Sequence, residues 1–200
     1  MNSILVVVLA YLIGSIPSGL WVGKVFYKTD IRQHGSGNLG ATNTFRTLGK
    51  KAGIAVTLMD ILKGTLATIL PILAVFQGSG IHPLVAGIIA VVGHMFPIFA
   101  GFRGGKAVAT SAGILLGYHW PIFILLLIAF LLCLKVYKMV SLASMFAAVV
   151  AFIYALIYGI LYNEYLLLII ISIIVVFIFY RHRSNISRIK KGTEPKVTWL

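Results

Sequence analysis

Long apolar runs separated by short polar segments make up most of the chain. Several of them approach or exceed the roughly 18 to 20 residues that a helix needs to cross a bilayer. Runs of this length predict an all-α integral membrane protein with seven transmembrane helices. The seven apolar segments cover about residues 3–23, 54–76, 84–100, 107–118, 120–134, 141–160 and 165–180.

The division of residues 107–134 into two helices depends on one break in the apolar pattern. The sequence Gly117-Tyr118-His119-Trp120-Pro121 interrupts it, because proline lacks a backbone donor and disfavours helix at the preceding residue. The alternative is one long helix. With the break, the fourth and fifth helices are short and rise about 18–22 Å, less than the hydrocarbon core. We therefore expect the loop before the fourth helix to lie sunk within the protein.

The basic residues predict the orientation of the chain. The net charge is +13, from 17 Lys and Arg against four Asp and Glu, and the basic residues cluster in alternate connecting segments. Cytoplasmic loops carry such clusters. This predicts an N-terminus outside, a cytoplasmic C-terminus and two helices across 107–134. No Lys or Arg precedes Lys24, so the first run does not read as a signal peptide. We expect one membrane domain over residues 1–200, with a short cytoplasmic tail from about residue 189.

The composition disfavours several classes of protein. Hydrophobic residues make up 60% of the chain and charged residues 10%, whereas soluble domains are about a quarter charged. Nucleic-acid binding is disfavoured because the basic residues lie between apolar runs. Membrane lipids and small anionic substrates are the expected partners. Cys133 is the only cysteine, and no cluster has metal-ligand spacing, so neither a metal nor a cofactor is predicted.

The first cytoplasmic segment has the composition of an anion-binding loop. Glycines allow successive N–H groups to point into one concavity, hydroxyl and amide side chains add donors, and Arg46 adds a fork suited to phosphate. A flexible polar connector is the alternative. A dinucleotide-binding fingerprint is excluded because it requires a strand and a βαβ unit. The candidate residues are Gly35, Ser36, Gly37, Asn38, Thr42, Asn43 and Arg46.

A second candidate anion site precedes the fourth helix. Gly104-Gly105-Lys106 leads directly into this apolar segment, and a glycine-rich turn, a lysine and a helix N-terminus together favour anion binding. The alternative is that Arg103 and Lys106 only set the topology. A P-loop is excluded because Ala107 follows Lys106 and the spaced glycine is missing.

The later segments offer polar residues with weaker signals. Ser141 and Ser144 lie one helical turn apart, which is typical of helix packing. If the last helix continues past Arg181, His182 and Asn185 share one of its faces. A basic tail after the last span commonly binds lipid head groups, which does not account for a histidine and an asparagine at this spacing.

Two polar features fall inside predicted spans. Asp60 and Lys63 are three residues apart and can form an ion pair. Intramembrane charges usually face a partner or a cavity, so the pair either ties the second span to a neighbour or belongs to a site. His94 has two similar interpretations: it is a buried structural histidine, or it is a site residue.

The small number of acids limits the chemistry. The chain contains only Asp30, Asp60, Glu164 and Glu194, without a carboxylate pair or a Ser-His-Asp set of ordinary spacing. A reaction that needs strong acid catalysis is disfavoured. Transfer from an acyl phosphate remains compatible, because its phosphate leaves readily and the site need only position and neutralise anions.

Six ordered blocks resemble the bacterial acyl-phosphate:glycerol-3-phosphate acyltransferase family, and the resemblance extends from the first span to about Arg188. It implies a seven-span inner-membrane enzyme that acylates glycerol-3-phosphate from acyl phosphate, the first acylation step of phospholipid synthesis. It also implies a functional link to the enzyme that makes acyl phosphate. The blocks are Gly35-Ser36-Gly37-Asn38-x-Gly40-Ala41-Thr42-Asn43-x-x-Arg46, Asp60-x-x-Lys63-Gly64, Gly93-His94, Gly104-Gly105-Lys106-x-Val108-Ala109-Thr110, Ser141-Leu142-Ala143-Ser144 and Tyr180-Arg181-His182-Arg183-x-Asn185.

The resemblance also implies roles for individual residues. The active-site positions of the family fall on Ser36, Arg46, Lys106, Ser144, His182 and Asn185. We expect the last five to hold the phosphate of glycerol-3-phosphate, while the Ser36–Asn43 loop and the Gly104–Lys106 turn hold the acyl-phosphate head. We expect the acyl chain to lie in a groove between spans, and a substrate phosphate oxygen to take the proton of the attacking hydroxyl.

A transporter for a phosphorylated solute is the alternative function. Short helices with anion-binding N-termini also occur in transporters. Against this reading, the polar motifs lie on one face of the membrane, and the sequence shows no mirrored pair of halves.

Overall fold

A computed structural model describes residues 2–197 of the chain. Within these residues the protein is helical and contains no strand. Ten α-helices follow one another along this part of the chain. They are α1 (Asn2–Gly14), α2 (Ser18–Tyr27), α3 (Ala41–Leu48), α4 (Lys50–Ile69), α5 (Pro83–Met95), α6 (Val108–Tyr118), α7 (Trp120–Tyr137), α8 (Val140–Tyr162), α9 (Tyr165–Arg181) and α10 (Arg183–Lys190).

The chain divides into two compact units, one ending at Tyr118 and one beginning at His119. In the first unit α4 is central and packs against α1, α5 and α6. Small residues allow the close approach of α4 and α6, because a Cβ at Gly64 or Gly113 would clash with the backbone of the facing helix. The prediction of a single membrane domain is not tested by this division.

The first apolar segment is broken where the sequence analysis expected one continuous helix. Helix α1 ends at Gly14, α2 begins at Ser18, and the two axes differ by 48°. Pro17 lies in the break, which agrees with its missing backbone donor. Lys63 on α4 donates from Nζ to the carbonyl oxygen of Ile16 at 2.7 Å. The buried lysine thus satisfies a carbonyl that the break leaves without a helical partner.

In the second unit α8 packs against α7 on one side and α9 on the other. The last helix does not continue straight past Arg181, because α10 turns away from α9 by 56° at His182. After α10 the chain returns to the turn between α7 and α8, where the amide of Val197 donates to the carbonyl oxygen of Lys138 at 2.7 Å.

Helix length and composition identify the membrane-spanning elements. Within residues 2–197, four helices are long and apolar enough to cross a membrane, or six if each bent pair counts as one span. Helix α6 is a shorter apolar helix of 11 residues, as expected for the fourth. The expected short fifth helix is wrong, because α7 has 18 residues and rises about 27 Å. The count of seven spans is not confirmed, and the orientation stays a prediction.

Candidate functional site

The loop before α3 is organised by the side chain of Asn43. Asn43 is buried; its Oδ1 accepts from the amide of Ser36 at 2.9 Å, and its Nδ2 donates to the carbonyl oxygens of Ile31 and His34. Both ends of the amide therefore hold the loop in shape. A direct contact between Asn43 and a substrate stays a prediction.

The expected nest of backbone amides is partly occupied by the loop itself. Besides the amide of Ser36, that of Gly37 donates to the carbonyl of His34, and that of Gly40 donates to Oδ1 of Asn38. Gly35 and Gly37 have positive φ angles of 60° and 68°, the left-handed turns for which the sequence predicted glycine. The amides of Ser36, Gly37 and Gly40 are therefore already engaged within the loop.

Three predicted site residues of this segment are exposed at its surface. Ser36 and Thr42 lie on the loop and at the start of α3, and Arg46 lies in the last turn of α3. Another cation of the segment, Arg32, forms an ion pair with Asp30. The hydrogen bond from Arg32 lowers the pKa of Asp30 to about 2, so the pair is fully charged at neutral pH.

The glycines before Lys106 pack closely against the end of α5. The amides of Gly104 and Gly105 donate to the carbonyl oxygens of Met95 and His94 at 3.1 and 3.2 Å. A Cβ on Gly104 would clash with the His94 carbonyl oxygen, and one on Gly105 with the His94 ring. The end of α5 therefore accepts from both amides, and substrate binding by this turn stays a prediction.

Lys106 is held between this packed turn and the start of α6. Its side chain is half-buried, and the next residue, Ala107, is buried with a φ of 60°. A non-glycine residue in this region is strained by about 1–2 kcal/mol, which the surrounding packing must offset. The strained residue Ala107 separates Lys106 from Val108, the first residue of α6.

The first turns of α6 contain two buried hydroxyls that the sequence analysis did not assign to the site. Within residues 2–197, neither Oγ1 of Thr110 nor Oγ of Ser111 has a hydrogen-bond partner. Burying an unpaired hydroxyl is unfavourable, and the start of a helix is favourable for anions. Their place four and five residues after Lys106 was the available sequence signal.

A buried polar cluster joins α2, α4 and α5. Oδ1 of Asp60 accepts from Oγ of Ser18 at 2.8 Å and lies 2.8 Å from Nζ of Lys63 and 3.6 Å from Nδ1 of His94. The predicted ion pair between Asp60 and Lys63 is present, and its contacts tie α4 to its neighbours. His94 connects this cluster to the turn before Lys106.

In the second unit, Glu194 organises the polar residues. Its Oε1 accepts from Ser141 and from Nδ2 of Asn185, each at 2.6 Å, and its Oε2 accepts from Arg188 at 2.7 Å. Burial alone raises the pKa of this carboxyl, but the hydrogen bonds from Ser141, Asn185 and Arg188 outweigh it, so the pKa lies below its ordinary value.

The sequence analysis missed Glu194 because it assigned the region from about residue 189 to a simple tail. A single acid after five Lys and Arg residues, counted from Arg181, was the available signal. Ser144 is buried and donates to the carbonyl oxygen of Val140 within its own helix at 2.8 Å, which is common for serine in membrane helices.

His182 is the buried residue at the bend between α9 and α10. Its Nδ1 lies 2.8 Å from the carbonyl oxygen of Ile178. A carbonyl oxygen only accepts, so this hydrogen bond requires a proton on Nδ1. In the neutral ring, Nε2 is then an acceptor, and it becomes a donor only when the ring is protonated.

These features define a membrane protein with many helices, whose polar loops carry cations and buried hydrogen-bonding groups suited to a phosphorylated compound. Comparison with known proteins gives the family: the chain belongs to the glycerol-3-phosphate acyltransferase family, whose model matches residues 4–192. It is therefore a membrane acyltransferase of phospholipid biosynthesis.

Curated relatives match over essentially the whole chain. A glycerol-3-phosphate acyltransferase from Listeria welshimeri is 56% identical over 199 residues, covering 100% of this chain and 98% of the relative. One from Bacillus subtilis is 57% identical over 196 residues, covering 98% of each.

Two solved structures of an integral membrane glycerol 3-phosphate acyltransferase, PlsY, have the same fold. The glycerol 3-phosphate form is 36% identical with a TM-score of 0.86 and covers 98% of this chain and 96% of its own. The lysophosphatidic acid form is 35% identical with a TM-score of 0.82 and covers 98% and 95%.

Proposed function

We propose that the protein transfers an acyl group from acyl phosphate to the primary hydroxyl of glycerol-3-phosphate. The hydroxyl oxygen attacks the acyl carbonyl carbon, the new ester C–O bond forms, and the C–O bond to the phosphate breaks. The products are 1-acylglycerol-3-phosphate and inorganic phosphate, and the hydroxyl proton ends on a phosphate oxygen. No electrons are exchanged with a cofactor.

The full-length similarity to an acyltransferase solved in a glycerol 3-phosphate form carries this proposal. Identity of 36% over almost the whole chain supports the same acceptor substrate, and the residues expected for phosphate binding are present here. The second form of that protein is named for lysophosphatidic acid, which is the product that this reaction gives.

In the first unit, Arg46 and Lys106 supply positive charge for substrate phosphates. Arg46 offers a planar fork that can bind two phosphate oxygens, and Lys106 acts as a point charge. The buried hydroxyls of Thr110 and Ser111 are candidates to bind an anion at the start of α6. Ser36 is an exposed hydroxyl that can bind either substrate without further change in its loop.

In the second unit, His182 and Asn185 are the proposed contacts for glycerol-3-phosphate, and Ser144 joins them when its hydroxyl turns from the Val140 carbonyl oxygen to the phosphate. Glu194 accepts from Nδ2 of Asn185, so the amide has a fixed orientation. With Nδ1 bound to Ile178, His182 can bind phosphate through Nε2 only as an imidazolium. As a neutral ring it would instead accept from the substrate hydroxyl. We retain phosphate binding as the proposal, and its pH dependence is considered below.

Acyl phosphate is the proposed donor because this protein offers little acid catalysis. Asp30 and Glu194 are engaged with arginines, and Asp60 with Lys63. A phosphate leaving group does not need a strong protein acid, and substrate phosphates provide oxygen bases for the proton. A preceding reaction must then make the acyl phosphate, which implies a functional link to the enzyme that catalyses it.

The proposed location is the cytoplasmic membrane, with the site on the cytoplasmic face. Both substrates are phosphorylated compounds of the cytosol, and the basic loops favour that side by the positive-inside rule. The acyl chain of the donor would lie in the hydrocarbon layer against the apolar surfaces of the spans.

A donor comparison tests the proposal. Purified protein in lipid nanodiscs is supplied with radiolabelled glycerol-3-phosphate and, in separate reactions, acyl phosphate, acyl-CoA or acylated carrier protein. We expect lysophosphatidic acid only with acyl phosphate, and a greatly reduced yield with Lys106→Ala. Product formation from acyl-CoA alone would reject the proposed donor while keeping the family activity.

A further inference from the structure

We propose that His94 is a positioning residue that fixes the turn before Lys106, and that Asp60 holds its ring in place. The proposal rests on the function proposed above, in which Lys106 binds a substrate phosphate. It adds a role for a buried cluster that the reaction itself does not use. The carrying observations are the contacts of His94 with Asp60 on one side and with Gly105 on the other.

Asp60, which is held by two hydrogen-bonding partners, lies beside one edge of the His94 ring. Asp60, Lys63 and His94 are all at least nine-tenths buried. Asp60 is held by Ser18 and Lys63, each at 2.8 Å, and Lys63 is held in turn by the Ile16 carbonyl oxygen. Oδ1 of Asp60 lies 3.6 Å from Nδ1 of His94, longer than a hydrogen bond but close enough to orient the ring.

The opposite edge of the ring lies against the turn. A Cβ on Gly105 would clash with Nε2 of His94, so the ring and the Gly105 backbone are in direct contact. The carbonyl oxygens of His94 and Met95 accept from the amides of Gly105 and Gly104. Backbone and ring of His94 thus bind the turn together, one residue before Lys106.

The position of the Lys106 side chain depends on the turn, because the residue that follows Lys106 has a strained backbone. Ala107 has a φ of 60°, a conformation that persists only when the surroundings enforce it. Without the ring, the turn can relax and move the ammonium group of Lys106. A displacement of about 1 Å at a substrate contact can cost up to about a hundredfold in rate.

Substitutions of His94 separate positioning from folding. His94→Ala removes the ring but keeps the backbone bonds. His94→Asn can keep an N–H toward Asp60 but does not reach Gly105. His82→Ala is the matched control, because His82 caps the other end of the same helix through its ring. We expect both His94 variants to raise KM for glycerol-3-phosphate about tenfold, with kcat changed less than about threefold. A variant that only misfolds lowers kcat by loss of active protein and leaves KM unchanged.

A double-mutant cycle tests whether His94 acts through Lys106. In the wild-type background we expect His94→Asn to lower kcat/KM about tenfold. In the Lys106→Ala background it should lower kcat/KM less than about threefold, because the group that it positions is gone. Equal losses in the two backgrounds would show that His94 does not act through Lys106 and would overturn the proposal.

A local measurement keeps this test separate from the proposed reaction. In His94→Asn, hydrogen exchange of the peptide covering residues 101–107 should be faster than in the wild type, with exchange in α4 unchanged. Unchanged exchange at 101–107 rejects the positioning role whatever the enzyme's activity. Faster exchange in a protein without acyl transfer activity retains the positioning role and rejects the proposed function instead.

Discussion

Lys106 and Arg46 are the two cations on which the proposed phosphate binding depends. A charge-assisted contact of this kind contributes about 1.5–3 kcal/mol. We expect Lys106→Ala or Arg46→Ala to lower kcat/KM for glycerol-3-phosphate by about tenfold to a hundredfold or more. Steady-state kinetics in nanodiscs measure this loss. Lys51→Ala, which removes an exposed lysine at the start of α4, is the control and should retain wild-type kinetics.

His182 allows phosphate binding to be separated from general-base catalysis. If it binds phosphate, His182→Gln should raise KM for glycerol-3-phosphate and retain measurable turnover at saturation. Loss of saturated turnover with unchanged substrate binding would instead assign the base to His182. The pH profile of the wild type adds a second criterion. Because Nδ1 is engaged by Ile178, Nε2 can donate to phosphate only from the imidazolium, so KM should rise with increasing pH as the ring loses its proton.

At the scale of the helices, the segment after α10 (residues 191–197), called the strap here, connects α8 to α10 in the second unit. Glu194 joins Ser141 on α8 to Asn185 and Arg188 on α10. Glu194→Ala leaves these donors without their acceptor, which should cost about 1–3 kcal/mol of stability. Thermal unfolding in detergent measures the change. Lys190→Ala, which removes an exposed side chain of α10, should leave the midpoint nearly unchanged; an equal loss there would show that the strap is not special.

The same strap should be sensitive to acid. The pKa of Glu194 is lowered from an ordinary value of 4.5, so its stabilising contribution is complete above that value and is lost as pH falls through the lower folded-state pKa. A fluorophore on Thr193→Cys, in a Cys133→Ala background, should show a drop in anisotropy in this acidic range. With Glu194→Gln the anisotropy should already be low at neutral pH. A wild-type signal that stays constant down to pH 2 would contradict the docking role of the carboxylate.

At the scale of the whole molecule, the untested prediction is the orientation in the membrane. Cysteines at Gln77 and Asn163 should react with impermeant thiol reagents from outside intact cells, whereas those at Gln33 and Thr193 should react only after permeabilisation. These four positions are exposed, so a failure to react reports sidedness instead of burial. Cys133 is buried and is replaced by alanine as background. The reverse labelling pattern would place the basic loops on the wrong face for cytosolic substrates.

The amino-acid sequence by itself determined the class of structure and the location of the polar loops. Apolar runs of this length have no stable alternative to helices in a membrane, since lipid offers no hydrogen bonds to the backbone. The order of glycine, amide and basic residues was enough to indicate the family, which the comparisons confirm. The break before Trp120 was also predicted, because the restriction that proline imposes is local.

Only the tertiary structure decided what the individual polar groups bind. The amides of Gly104 and Gly105 bind the end of α5, a contact that the sequence pattern did not indicate. Asn43 and Glu194 likewise have partners chosen by packing, and the bend at His182 ended the assumed continuous helix. A sequence pattern gives the available donors and acceptors, whereas their pairing depends on which segments the fold brings within about 3 Å of each other.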